Sequence, residues 1–262
     1  MGATRPWPQH CILVRMASGI WSAASGAIGQ VAHLDTAANN LANIDTAGYR
    51  VDRMVFRRAL EGSLKGHRAH ESMEASVVRS VSHDMTPGRI VPTGREMDVA
   101  LTGENQFFAV DTPLGTRYTR AGNIHIMPDG ALAGPSGIPY VSQNRQPIMV
   151  PPDASRVELT NMGDVKVDGE ATGQRLLVVE FADHKQLMKE GDVLFGAPAE
   201  AGPPATVTDP YMQTHALEKS TDRAFKHLSE VTHASRNFNM LSKVIEAFSK
   251  VEQSAAKGIH GR

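Results

Sequence analysis

Apolar residues recur at Ile20, Ala24, Ala27, Val31, Leu34, Ala38 and Leu41, in alternating steps of four and three residues. That is the period of a helix that buries one stripe against a second helix. Near the other end Val231, Ala234, Phe238, Leu241, Ile245 and Phe248 repeat the pattern, and Ala255 resumes it after Glu252 interrupts. Two long helices are thus predicted to enclose a middle of different character. The middle is read as all-β: MDVAL (97–101), QFFAV (106–110), TRYT (116–119), NIHIM (123–127), RVELT (156–160), DVKV (164–167) and QRLLVVEF (174–181) are separated by turn signals such as Thr112-Pro113-Leu114-Gly115 and Pro128-Asp129-Gly130. Period-2 fragments near Ser76–Ser82 suggest extended arms, and Ala199–Pro204 reads as a linker into the last helix. The predicted class is α+β: terminal helices paired as a coiled-coil-like stalk, an extended β junction and a central all-β domain. The boundaries fall at 16–44 for the first helix, 45–95 for the junction, 96–208 for the β-domain and 209–262 for the last helix.

The outer face of the first helix is unusual. Asn39, Asn40 and Asn43 fall within five positions and are predicted on the side away from the stripe. Between Ala17 and Ile44 the only formal charge is Asp35. A water-facing surface is normally charged. A face of Gly, Ser, Ala and amides points instead to packing on all sides, which copies of the same protein or its relatives would supply. An amide donates and accepts, so it satisfies a neighbouring helix without the desolvation cost of an ion. The last helix, read from Leu217 to Lys257, mixes both signs of charge, with one face in water. The first stripe is rich in alanine and buries little area, so both termini are expected to be largely disordered until assembly.

Composition narrows the classes. The chain has 262 residues, 41% hydrophobic, with a net charge of −1, which gives no reason to expect nucleic acid or a membrane surface as partner. One cysteine, Cys11, excludes a disulfide scaffold. No apolar run reaches the length of a membrane span, so membrane insertion is not expected. The start has no long apolar stretch of a signal peptide, so any export would proceed without a conventional cleaved signal.

Three motifs in order carry a resemblance. GIWSAASGAIGQ (19–30) followed by ANNLANIDTAGYR (38–50) resembles the N-terminal signature of the bacterial flagellar rod and hook proteins, with Asn39, Asn40, Leu41 and Asn43 in the ANN-LAN block and Thr46, Gly48, Tyr49 and Arg50 in the T-x-G-[FY]-[KR] turn. TGREMDVALTGENQFFAV (93–110) and TRYTRAGNIHIMPDGAL (116–132) resemble that family's middle, and HALEKST (215–221) resembles its entry into the last helix. Asn105-Gln106 and Thr221 depart from the family pattern. The resemblance implies a structural subunit of the periplasmic rod in the flagellar basal body. Such a subunit is a type III export substrate that polymerises helically through its terminal helices. Its implied partners are other rod proteins, copies of itself and the export apparatus, with no cofactor and no small-molecule substrate. Within the family, length and the connection after the motif suggest a proximal-rod member, the distal-rod member being the alternative. The family's chains open a few residues before the GI-[YW] block, so residues 1–15 read as an extension ahead of Met16, the alternative being a native tail. The Asn block and Tyr49 are expected to hold the turn that aims the outer domain. The helix seam is assigned to Ile20, Val31, Leu34 and Leu41 with Val231, Phe238, Leu241, Ile245 and Phe248.

A search for catalysis finds little. No phosphate-binding glycine pattern is present. HESME (70–74) lacks the second histidine of a zinc helix, and His67, His70 and His83 read as a solvated loop. Glu96 and Asp98 read as structural, and Arg117 and Arg120 as surface or subunit-contact residues. Two other classes make specific demands on the sequence. A cell-wall glycan hydrolase needs a close carboxylate pair in a cleft. A stand-alone binding module needs charged outer faces on both helices, which the first helix lacks.

Overall fold

Apolar runs that alternate, then lengthen, produce a β-region with two buried faces. The computed structural model describes residues 9–58, 76–222 and 224–260. Helix α1 spans Gln9–Ala42 and α2 spans Ala224–His260. Between them lie β1 (Asp52–Arg58), β2 (Ser76–His83), β3 (Ile90–Pro92), β4 (Val99–Leu101), β5 (Gln106–Thr112), β6 (Gly115–Thr119), β7 (His125–Ile126), β8 (Leu132–Ala133), β9 (Val157–Leu159), β10 (Asp164–Val167) and β11 (Glu170–Arg175). The series continues with β12 (Val178–Glu180), β13 (Met188–Glu190), β14 (Leu194–Gly196), β15 (Ala205–Thr206), β16 (Met212–Thr214) and β17 (Ala216–Glu218). The chain is α+β, with a helix at each end and a central β-rich region. It divides into two units, residues 1–41, 52–82 and 225–262 in one, and 42–51 with 83–224 in the other.

In the β-unit the main sheet has six antiparallel strands in the order β13-β14-β6-β5-β12-β15. Strand β5 explains its construction. In QFFAV every residue is apolar after the first, so both faces of the strand are covered. Phe108 and Val110 face a core with Val99, Leu101, Ile124, Leu132, Tyr140 and Ile148. Phe107 and Ala109 face a second core with Tyr118, Val179, Phe181 and Phe195. Edge-to-face ring contacts fix both sides: Phe108 to Tyr140 at 5.8 Å, Phe107 to Phe195 at 5.7 Å and Tyr118 to Phe181 at 4.8 Å between centroids. Tyr140 is fully buried and donates its hydroxyl to the Ala121 carbonyl at 2.7 Å; burial holds its pKa far above the ordinary phenol value. A second sheet runs β11-β10-β9, and the short pairs β16-β4, β17-β3 and β7-β8 complete the unit.

The last helix begins at Ala224, not at Leu217. Residues 212–218 form two strands: β16 pairs with β4, and Leu217 pairs with Val91 in β17-β3. The Pro/Gly/Ala stretch before them therefore leads into strands β15–β17 rather than into a helix.

In the helical unit, Gly19 and Gly26 of α1 lie against α2. A Cβ placed on them would sit 3.2 Å from the Phe248 ring and 3.5 Å from a Leu241 methyl. Glycine there lets the helices approach closely. Ala23, Ala27 and Ala37 are buried among the described side chains of α1. Val31 and Ala38 lie on an exposed side, whereas Ile20, Leu34 and Leu41 are half-buried. On α2, Ala234 is buried, and Val231, Phe238, Leu241, Ile245 and Phe248 are half-buried. Both helices keep further apolar residues in the open, among them Ile28 at 70%, Trp21 at 64% and Phe225 at 82% exposure. Among the described residues no helix is long and apolar enough to cross a membrane. Residues 1–8, His67, His70 and HESME lie outside the described residues.

Leu132 is fully buried; its N–H donates to the Ile148 carbonyl and its own carbonyl accepts from the Tyr140 N–H. Leu132→Ala is expected to cost about 2–5 kcal/mol through lost contacts and a residual cavity. Urea unfolding of the purified protein measures it, and a loss below about 1 kcal/mol would contradict the two-faced core.

Candidate functional site

The motif block ends α1 and opens a tight turn. Asn40 is buried, not on the open side of the helix as its spacing from the stripe suggests. Its side-chain amide donates to the Asp52 carbonyl at 2.8 Å and accepts from the Asp52 N–H at 2.9 Å. One side chain thus satisfies both backbone groups of the residue that begins β1, as a neighbouring strand would. Asn39 is exposed, and Asn43 is half-buried. Asn43 accepts from Thr46, from its N–H through the main-chain oxygen and from its hydroxyl through Oδ1, each at 3.1 Å.

After the turn, residues 46–51 dock in the β-unit. Gly48 has φ +71, and a Cβ on it would lie 2.3 Å from the Ala121 nitrogen, so both conformation and space require glycine. Its N–H donates to the Glu218 carbonyl at 2.8 Å. Tyr49 is fully buried, and so is Arg50.

Glu218 is the centre of this region. Its carboxylate accepts from Arg50 Nη1 at 2.7 Å, from Arg120 Nε at 2.8 Å and from the Gly88 N–H at 2.8 Å. A further contact joins Arg120 Nη2 to the same carboxylate at 2.7 Å. The Arg120 guanidinium also donates to the carbonyls of Leu101, Gly103 and Gln106. All three charged side chains are at most 1% exposed. Two guanidiniums share one carboxylate, leaving a buried excess of one positive charge. Burial lowers the Arg120 pKa, Glu218 opposes the shift, and Arg50 adds to it. The nearby His184 is also held below its ordinary value, chiefly by burial and Lys185, with Asp183 opposing and both arginines contributing.

Each of the three sequence motifs gives this cluster one charged residue: Arg50 ends the TAGYR turn, Arg120 stands in YTRAG, and Glu218 stands in ALEKST. Arg120, expected on the surface, is buried. Glu218 was placed on a helix and is instead on β17. The other charged candidates separate. Asp98 is buried and accepts from the Thr93 hydroxyl at 2.7 Å, while Glu96 lies in a turn and pairs with Arg156. They do not form an acid–base pair. Arg117 pairs with Glu190 at 2.7 Å on the sheet surface. Among the described residues no three metal-ligating side chains cluster.

Comparison with known proteins adds the identity of this arrangement. Residues 20–50 match the family model of the flagella basal body rod protein, and residues 100–167 match that of the flagellar hook protein FlgE/F/G D1 domain. The chain is 30% identical to the flagellar basal-body rod protein FlgG of Agrobacterium fabrum, over 90% of this chain and 97% of that protein. It is 27% identical to FlgG of Bacillus subtilis, over 91% and 97%. It is 26% identical to the flagellar basal-body rod protein FlgF of Caulobacter vibrioides, over 86% and 90%. The chain belongs to the flagellar basal-body rod protein family.

Removing one partner of a buried ion pair costs about 3–5 kcal/mol, because the other charge is left unpaired. Glu218→Gln strands two guanidiniums and is expected to cost the most. Arg120→Met also strands three carbonyls. Arg50→Met removes the excess charge and is expected to cost the least. Urea unfolding of the three variants checks the ranking, and Arg50→Met as damaging as Glu218→Gln would contradict it.

Proposed function

We propose that this chain is a structural subunit of the flagellar basal-body rod, polymerising through its terminal helices with copies of itself and other rod proteins, and not an enzyme. The observation that carries this reading is the pairing of a nearly charge-free α1 with apolar residues left open on both helices. Trp21, Ile28 and Val31 on α1 and Phe225, Leu228, Met240 and Val251 on α2 lie exposed in the single chain. Copies packed side by side would cover them, and contacts that do not close generate a filament. The approach of Gly19 and Gly26 to Phe248 and Leu241 supports a coiled-coil-like stalk. The helices gain most of their burial on assembly. The protein reaches the periplasmic rod through the flagellar type III export apparatus.

Within the rod we infer the proximal position, on the sequence resemblance and the match to FlgF over 90% of that relative. The distal position is the second reading, favoured by the higher identity and fuller coverage of the FlgG relatives. Locating a tagged copy in purified basal bodies distinguishes the two positions.

Asn40→Asp tests the assembly role. The carboxylate loses the donor to the Asp52 carbonyl and meets that oxygen with like charge, a local cost of about 1–3 kcal/mol. Cells carrying it are expected to lose rods and motility, while the β-unit within the purified full chain stays folded. Asn43→Asp keeps the acceptor facing Thr46 and is expected to be milder. Motile cells with normal rods and Asn40→Asp would contradict the role.

A further inference from the structure

Strand β13 lies at the edge of the main sheet, and its central residue, Lys189, is opposite the fully buried Phe195 of β14. Its neighbours Met188 and Glu190 are exposed, and Glu190 is held by Arg117. Lys189 alone of the three is half-buried. Its ammonium sits 3.9 Å from the centroid of the Tyr49 ring and donates to the Arg50 carbonyl at 2.9 Å. Two arginines already occupy this region with one carboxylate between them. The aromatic face and the carbonyl dipole both favour a third cation there.

We propose that Lys189 is the positioning residue of the TAGYR turn. It holds the Tyr49 ring and the Arg50 carbonyl so that residues 46–51 keep one conformation in the free subunit, ready for assembly. Its place in the chain supports a separate assignment. Lys189 lies 139 positions from Arg50, outside both spans matched by the family models and outside every motif of the resemblance. Tyr49 and Gly48 shape the turn from within, and Glu218 grips it through Arg50 and Gly48. Lys189 closes the remaining side by placing its ammonium over the ring and giving the Arg50 carbonyl a donor.

The assembly consequence rests on the rod reading, but the conformational claim does not, so the two are tested separately. Hydrogen exchange is measured on the purified full chain for wild type, Lys189→Met and Lys189→Arg. Met keeps the stem and removes the charge. The amides of 46–51 are expected to exchange about 10- to 100-fold faster in Lys189→Met. Those of β5, which share the unfolding of the unit, should accelerate by the same factor or less, and Lys189→Arg should restore part of the protection. Unchanged exchange at 46–51 would overturn the proposal, and so would a failure of Lys189→Arg to restore any protection there. Rod formation is then read in cells producing each variant. Loss of rods with Lys189→Met and partial recovery with Lys189→Arg supports the assembly role. Normal rods despite a loosened turn would overturn that role alone. The rod reading itself would fail separately, if the tagged wild-type protein were absent from purified basal bodies.

Discussion

One carboxylate holds together parts of the chain that are far apart in sequence. Glu218 meets Arg50 across 168 positions and Arg120 across 98, and it also takes the Gly88 N–H. Its own carbonyl takes the Gly48 N–H. The segment leaving α1, the loop after β6, the strand before α2 and the residues before β3 all converge on this residue. The arrangement carries a cost, since two guanidiniums are dehydrated for one anion. A buried ion cluster is weak evidence for stability in itself and better evidence for a specified geometry. Here that geometry is the docking of residues 46–51 on the β-unit, with glycine at position 48 because nothing larger fits against Ala121.

Much of the fold was legible. The strands announced themselves through QFFAV, DVKV and RVELT, whose periods and turn signals are local properties. The helices were legible through their four-three spacing. The phase of α1 was less so. Alanine and valine differ little in a pattern of apolar positions; Gly19 and Gly26 meet α2, and burial falls on Ala23, Ala27 and Ala37 rather than on Val31 and Ala38. The start of α2 was misplaced because ALEKS has good helix formers. Pairing of β17 with β3 overrides that preference, as tertiary context commonly does.

The site divides along the same line. Gly48 and Tyr49 were recognisable from their motif. Asn40 was recognisable too, but not its use: an amide that completes the backbone of Asp52 reads, from spacing alone, as part of an outer face. Glu218 and Arg120 were hidden because a charged residue in a strand or helix is normally solvated. The available signal was that each of the three motifs carried a charged residue of the cluster, two of them positive and one negative. Lys189 had no such signal, since its partners are a ring and a carbonyl brought near by the sheet.

The central claim is that the motif turn belongs to the same cooperative body as the β core because Glu218 fastens it there. Site-resolved amide exchange on the wild-type protein tests this directly. The Gly48 and Gly88 amides, both bound to Glu218, are predicted to exchange as slowly as Ala109 and Val110 in β5, through unfolding of the whole unit. Exchange orders of magnitude faster than β5 would mean that the turn opens on its own, and the account built on Glu218 would be contradicted.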